Sequence, residues 1–550
     1  MSTPPPNLSP QEEEGYKHAL ALLSSLQSNR AITSLFESLS PAQGKDGTPF
    51  DMNSLAIPEM LAWLGRAGYT PQSIAESGMK CVHVAGTKGK GSVSALIVSI
   101  LAQYHKPQRG APVAGGKRGE EEGCDGSPRA DVTETQASAV GLYISPHVLS
   151  VRERIALDAR PIPVPAFTRY LHSLWDRFTL AARAEAASKG LSVPDADLAG
   201  PATKPFYFRF LTILALHVFV SERVRSAVVE CGIGGEYDAT NILPAEAVTA
   251  TVVTQLGIDH VSMLGDTVEK IAWHKSGIFK PGVKAFTRKL AGSQETVMEV
   301  LRQRAREKGA VLVEVGDEEV ERWDGVEGAR LQGPWQKFNM ALAVYAAREH
   351  LLRMGVRFEG RFGTEEWQLA DIPEEFVKGL REAALRGRCE VFKDEQGVEW
   401  HVDGAHTDDS LAGVGRWFAG RAKEDGVRVL VFNQQERDPS GLLRALLAGA
   451  QSAAGGMPLF THAVFTRNEE QQPTGGESRD LSVQTKAQET MAEVNSATAT
   501  IVHDSVQKTV DHVRDIAAQA KQNGKPCQVL VTGSFHLVGA ILKNIDRFEY

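Results

Sequence analysis

Cysteine is scarce: Cys81, Cys124, Cys231, Cys389 and Cys527 are five scattered residues in 550, with no C-x-x-C pair among them. Zinc clamps and dithiol redox sites built on paired cysteines are excluded, and a reducing compartment fits. Net positive charge is missing too, with 60 Lys+Arg against 68 Asp+Glu and a formal charge of −8. A general polyanion surface is therefore excluded and no nucleic-acid partner is expected, although a local phosphate pocket remains open. Long apolar runs are absent: the longest covers 206–220 and is interrupted by Arg209 and His217, short of the roughly 20 residues a bilayer span needs. A buried helix is expected there, and no stable membrane insertion. The opening MSTPPPNLSPQEEE has no apolar signal core, and its glutamates do not suit an Arg-rich transit peptide. A cytoplasmic protein is expected, with a mitochondrial copy left open.

What is present is an ordinary globular composition, 42% hydrophobic and 23% charged, in a chain long enough for about three to four core-sized units in two domains. Residues 1–10 are Pro/Ser-rich and read as loose, and helical apolar spacing over 16–39 predicts a packed leading helix. The Gly- and charge-rich stretch 106–136 and a second one at about 468–498 read as disordered surface insertions. Between them β-branched runs alternate with helical segments: CVHVA at 81–85, VGLYI at 140–144, SAVVE at 226–230 and TATVVT at 249–254. The pattern restarts with EWHVDG at 399–404, VRVLVF at 427–432, HAVFT at 462–466 and QVLVTG at 528–533. Two α/β domains with mainly parallel sheets follow, 1–384 and 385–550.

The segment 82–92, VHVAGTKGKGS, runs from a predicted strand through a glycine-rich turn into the helical pattern SVSALIVSILAQ. Gly86, Gly89 and Gly91 allow tight or positive-φ backbone, so that successive N–H groups and a helix N-terminus can face phosphate oxygens. Lys90 supplies a point charge, and Thr87, Lys88 and Ser92 complete the loop. The spacing departs from G-x-x-x-x-G-K-[ST], since Gly91 separates Lys90 from Ser92. Nucleotide binding is the expectation. The GxGG in ECGIGGEYD lacks dinucleotide-fingerprint spacing and a following helix, so a nicotinamide oxidoreductase is rejected and Gly232, Gly234 and Gly235 read as permissive backbone.

GTKGKGS at 86–92 resembles the phosphate loop of the Mur ligase superfamily, specifically of folylpolyglutamate synthases, and the PFYFRF form at 205–210 resembles the eukaryotic ones. The resemblance continues through YISPHVLSVRERI at 143–155, PFYFRFLTILALHVF at 205–219, VVECGIGGEYDATNI at 228–242 and LGIDHVSMLGDTVEKIAWHKSGIFK at 256–280. It goes on in GPWQKFN at 333–339, LRGRCE at 385–390, VDGAHT at 402–407, FNQQERDP at 432–439 and VLVTGSFHLVG at 529–539. It implies a P-loop ATPase domain of Mur-ligase type followed by a smaller Rossmann-like domain. The implied activity is ATP-dependent ligation of L-glutamate to reduced folates through an acyl phosphate, by a monomer. Dihydrofolate synthase or a bifunctional enzyme is the alternative within the family, and an ATP-hydrolysing switch the alternative outside it.

The same resemblance implies the site. Mg²⁺ falls to Ser145, Glu230 and His260, and Lys275 matches the lysine that carries a carbamate, with His274 where many relatives have an acidic residue. Read alone, Glu230 ends a strand where parallel sheets bind ligands, His260 reads as a structural histidine, Ser145 as a turn residue and Lys275 as an exposed helix lysine. Arg388 and Asp403 match ATP-contacting positions, with Asp403 equally able to hold a hinge; Gln336 and Asn339 match the nucleotide lining. His406 and Ser534 match positions implicated in recognising the incoming glutamate. A monovalent cation such as K⁺ is a further expected cofactor. Arg152 and Arg154 are candidates for folate or loop positioning, or for plain ion pairing.

Overall fold

The computed structural model describes residues 8–27, 55–105, 140–435, 438–471 and 479–545. Its strands are β1 (Lys80–Ala85), β2 (Val140–Tyr143), β3 (Ile155–Leu157), β4 (Arg160–Pro161), β5 (Ser226–Glu230), β6 (Val248–Val253), β7 (Lys284–Arg288) and β8 (Val311–Val315), then β9 (Glu390–Lys393), β10 (Glu399–Val402), β11 (Val427–Phe432), β12 (His462–Thr466), β13 (Ala499–His503) and β14 (Cys527–Thr532). They form an eight-stranded sheet in the order β4-β3-β2-β5-β1-β6-β7-β8 and a six-stranded sheet in the order β13-β12-β11-β14-β10-β9. Pairing is parallel except for β3 and β4 at one edge of the first sheet and β9 at one edge of the second.

Buried β-branched strands with both faces covered give each sheet two cores. In β1 and β5, Val82, Val84 and Val228 face the layer that includes the helices Lys90–Tyr104, Gln336–Arg353 and Glu374–Glu382. Cys81, Ala227 and Val229 face the opposite layer, with Val164–Ser188 and Tyr207–Ser221. The latter helix is the apolar run expected to be buried. In the second sheet Leu430, Phe432, Phe465 and Leu530 meet the helices Asp408–Ala419, Pro439–Ala453 and Ser482–Val494. Trp400, Val431 and Val531 meet Val506–Gln522 and Phe535–Ile545. The predicted α/β architecture with mainly parallel sheets is what the chain adopts.

Two local expectations change. The leading helix is Pro10–Ser25, begun six residues earlier than its apolar spacing shows, because Ser9 caps it and Glu12 completes a reciprocal capping box. Ser9 and Pro10 thus belong to an ordered cap; 1–7 and the remainder of the predicted helix beyond residue 27 lie outside the described residues, as does the stretch 106–136. The second predicted insertion, about 468–498, is corrected: its later half is the helix Ser482–Val494, which buries Ala487 and Met491 against the second core and leads into β13.

Candidate active site

In the first sheet the chain leaves β1 for β2, returns to β5 and then passes to β6 on the other side of β1. Loops after β1, β5 and β6 therefore meet at the carboxyl edge where strand order reverses, the place where open α/β sheets bind ligands. The loop after β1 enters the helix Lys90–Tyr104 through Gly89, held at φ 87°. The first-turn N–H groups of that helix have no preceding helical carbonyl and carry the positive end of its dipole. From the β6 side, Thr87 and Lys88 donate their N–H groups to the Gln255 carbonyl at 2.9 and 3.1 Å. Thr87 Oγ1 donates to the Gly257 carbonyl at 3.0 Å, and Thr254 Oγ1 to the Lys88 carbonyl at 2.7 Å. Gly86 is needed because a β-carbon there would collide with Thr254 Oγ1.

On its other flank the loop meets the helix Gln336–Arg353. Gln336 Nε2 donates to Ser92 Oγ at 3.4 Å and Asn339 Nδ2 to Gln336 Oε1 at 2.9 Å. A β-carbon on Gly89 would lie 2.6 Å from Asn339 Oδ1. Gln336 and Asn339 are thus brought to the loop. Gly91 is helical rather than left-handed, and its lack of a side chain leaves space between Leu385 and Glu230. Sequence reasoning missed Thr254 and Gln255, which fix the loop's shape; their signal was position, at the carboxyl end of the run TATVVT.

Two ammonium groups converge on one carbonyl: Lys90 Nζ and Lys275 Nζ donate to Gly86 O at 3.0 and 2.8 Å. Lys275 is buried at the end of the helix Val268–Lys275. Burial, then the neighbouring Lys90 charge, pushes its ammonium down to about 7. Glu230 ends β5 with its carboxylate buried, and Oε2 accepts the Ser145 N–H at 3.2 Å. Burial pushes its carboxyl up, against the pull of Lys90, the Ser145 N–H, Arg388 and Arg154. The buried Glu230 carboxylate is a hard-oxygen donor of the kind Mg²⁺ takes, and Ser145 lies against it through its backbone N–H. His260 occupies a left-handed turn at φ 49°, its side chain 44% exposed and its ring 3.7 Å from Asp259. Among the described residues no three or more His, Cys, Asp or Glu side chains gather into a metal-holding cluster. Fit to the ion therefore rests on Glu230, with Ser145 beside it.

The second sheet brings Asp403, His406 and Ser534 to the carboxyl ends of β10 and β14. Asp403 Oδ2 accepts the Cys389 N–H at 2.8 Å just before β9, and Oδ1 accepts the Ala405 N–H at 2.9 Å in its own turn after β10. Cys389 is held at φ 47°. His406 Nδ1 is 2.9 Å from the Gly404 carbonyl, and Ser534 Oγ accepts the His536 N–H at 3.1 Å. The Arg388 guanidinium lies 4.2 Å from the centre of the Phe535 ring. In the first unit Arg154 Nε donates to His147 Nδ1 at 2.9 Å and stacks on Tyr207, while Arg152 Nη1 donates to the Ile162 carbonyl at 2.8 Å. Glu153 accepts the N–H groups of Val148, Leu149 and Ser150 at 2.8–3.0 Å, fixing the loop that carries Ser145.

No protein-family model matches the chain. Folylpolyglutamate synthase of Neurospora crassa is 35% identical over 97% of this chain and 92% of its own length, and that of Saccharomyces cerevisiae 33% over 97% and 87%. The folylpolyglutamate synthase of Mycobacterium tuberculosis, solved with ADP and AMPPCP, superposes with a TM-score of 0.63 at 20% identity, covering 96% of this chain and 99% of that one, which shows a common fold. Identity of that extent, along nearly the full length of both partners, means that the chain belongs to the folylpolyglutamate synthase family.

Proposed function

We propose that the protein joins L-glutamate to the γ-carboxylate of a reduced folate, converting ATP to ADP and phosphate. The observation that supports this most is the convergence of Lys90, Lys275 and Glu230 on the loop after β1, with Gln336 and Asn339 closing its flank. A carboxylate resists amines because oxide is a poor leaving group, and phosphorylation removes the obstacle. The folate carboxylate oxygen attacks the γ-phosphorus, the bond to the bridging oxygen breaks and ADP leaves. Lys90 and the first-turn N–H groups stabilise the charge that spreads over the phosphoryl oxygens. The glutamate amine then adds to the acyl carbon, loses its proton, and phosphate departs with the former carboxylate oxygen.

Ser145 and Glu230 would hold Mg²⁺, which supplies neutralising charge to the phosphate oxygens when bound. A lysine lowered to about 7 has a substantial neutral amine fraction at physiological pH. That supports carbamate formation at Lys275: the amine nitrogen bonds to CO₂ and releases a proton, replacing a cation with an anion. K⁺ as an additional cofactor, recognition of glutamate by His406 and Ser534, contacts of Arg388 with ATP and a metal-binding role for His260 belong to the same reading. So do a monomeric state and a cytoplasmic location, with a mitochondrial copy left open. No helix among the described residues is long and apolar enough to cross a membrane.

The test supplies ATP and L-glutamate with either tetrahydrofolate or dihydropteroate. The expected product is the γ-glutamyl amide of tetrahydrofolate, with ¹⁸O from the acid appearing in the released phosphate. Turnover of dihydropteroate alone would select dihydrofolate synthase, and ATP consumption without any amide would select a nucleotide switch.

A further inference from the structure

Trp335 stands immediately before Gln336 in the segment GPWQKFN, yet it turns away from the nucleotide loop and packs against the second unit's core. Two glycines make room for it. At Gly413, on the helix Asp408–Ala419, a β-carbon would lie 3.0 Å from the indole Cζ3. At Gly333, held at φ 112°, a β-carbon would lie 2.8 Å from the indole Cζ2. The same helix touches the first unit at two further points. Asp409, one turn before Gly413 on the same face, pairs with Lys88 of the loop at 3.3 Å. Arg421, just past the helix, donates through Nη2 to Gln332 Oε1 at 2.5 Å. Asp409 and Gly413, four residues apart on one helix face, and Arg421 just past the helix end thus lie along the loop and the segment 332–335.

We propose that Trp335 is a positioning residue, the joint that sets the second unit over the phosphate loop. One side of the joint is covalent: Trp335 caps the helix whose Gln336 and Asn339 touch Ser92 and Gly89. The other side is steric, an indole seated on a helix that has no side chain at 413. Of the three contacts only this one is packed; the Arg421–Gln332 hydrogen bond is exposed. The Lys88–Asp409 pair is exposed, with Asp409 90% accessible, and such pairs contribute about 0–1 kcal/mol. Rotating the second unit off the loop would drive the 413 backbone away from the indole and pull on the first turn of the nucleotide-contacting helix. Under the ligase reading, on which this rests, the joint brings the incoming amine to the acyl phosphate.

Kinetics and scattering test it separately. In Trp335→Ala the KM for ATP stays within about twofold, while amide formation falls about 10- to 100-fold, the cost of a misplacement of order 1 Å, and ADP released per amide rises above one. Trp335→Phe keeps most of the rate. An unchanged rate in Trp335→Ala, or a KM for ATP that rises in step with the loss of rate, overturns the joint. In solution scattering, Gly413→Leu raises the radius of gyration by about 1 Å on about 24 Å, and adding Trp335→Ala returns it to the wild-type value. No expansion in Gly413→Leu, or no return in the double variant, also overturns it. If the wild-type protein makes no amide from a folate, the ligase reading fails while scattering still decides the joint.

Discussion

The two carboxyl edges of this molecule present different kinds of polarity. At the first, charge is buried and only partly balanced: Lys90 and Lys275 share one carbonyl, and Glu230 keeps a single backbone donor. At the second, several buried polar groups are met by neighbouring loops, although Gln484 Oε1, Ser505 Oγ and Thr532 Oγ1 have no hydrogen-bond partner. Asp403 clamps two N–H groups, Asn433 exchanges hydrogen bonds with Asn468 and Gln484, and Gln434 donates to the Gly533 carbonyl. Buried charge is costly unless another charge meets it, so the first edge is arranged for a charged ligand and the second is arranged to hold its own loops. The difference predicts where substitution removes chemistry and where it removes structure.

Truncation at the first edge tests this most severely. Lys90→Ala and Glu230→Ala are expected to cost roughly 10²–10³-fold or more in ligation rate, the scale of losing one preorganised charge-stabilising group. Circular dichroism and melting should stay near wild type, because relief of buried charge offsets lost contacts. Near-normal activity in either variant would break the contrast. The next effect belongs to the second edge and has the opposite signature. Asp403→Ala leaves two buried N–H groups without acceptors, at about 1–3 kcal/mol each, so urea unfolding should show a clearly lowered midpoint. If Asp403→Ala kept full stability and lost only ATP affinity, Asp403 would be a nucleotide ligand rather than a backbone clamp.

A smaller, pH-dependent effect sharpens the first edge further. Lys275 is lowered from the usual 10.5 to about 7 by burial and by Lys90, with Cys231, Asp259 and Asp238 pulling the other way. Between those two values the unfolded chain binds more protons than the folded one, so this group makes stability rise with pH across the window and leaves it flat below about 7. The slope approaches about 1.4 kcal/mol per pH unit. Subtracting denaturation curves of Lys275→Met from those of wild type, pH by pH and in CO₂-free buffer so that the lysine stays uncarbamylated, isolates it. A flat difference between pH 7 and 10 would show that the ammonium is not held down.

Much of the fold was legible because its signals are local. Runs such as SAVVE and VRVLVF are apolar, β-branched and bounded by turns, and they became β5 and β11 within a residue of their predicted ends. The phosphate loop was legible for the same reason. What escaped depends on partners distant in sequence. Ser482–Val494 has few apolar residues and settles partly through polar contacts, Gln484 with Asn433 and Thr490 with Ser440, which hydrophobic periodicity does not register. Lys275 read as an exposed helix lysine because nothing nearby in sequence announces that Gly86 lies across from it. The place of Gly413 likewise depends on Trp335, distant in sequence, lying beside it.

The weakest contact between the two edges makes the last test. Lys88 reaches Asp409 across the units at 3.3 Å, with Asp409 almost wholly in solvent. Water and salt screen such a pair, and holding a lysine in one geometry costs side-chain entropy. Asp409→Ala should therefore change the ligation rate by less than about fivefold, equivalent to at most about 1 kcal/mol, and the difference from wild type should vanish by about 0.5–1 M salt as the screening length falls toward 3 Å. Measuring both proteins across a salt series separates the ion pair from the indole joint beside it. A loss in Asp409→Ala that matched Trp335→Ala and persisted at high salt would make the charged contact, not the aromatic one, the element that aligns the two units.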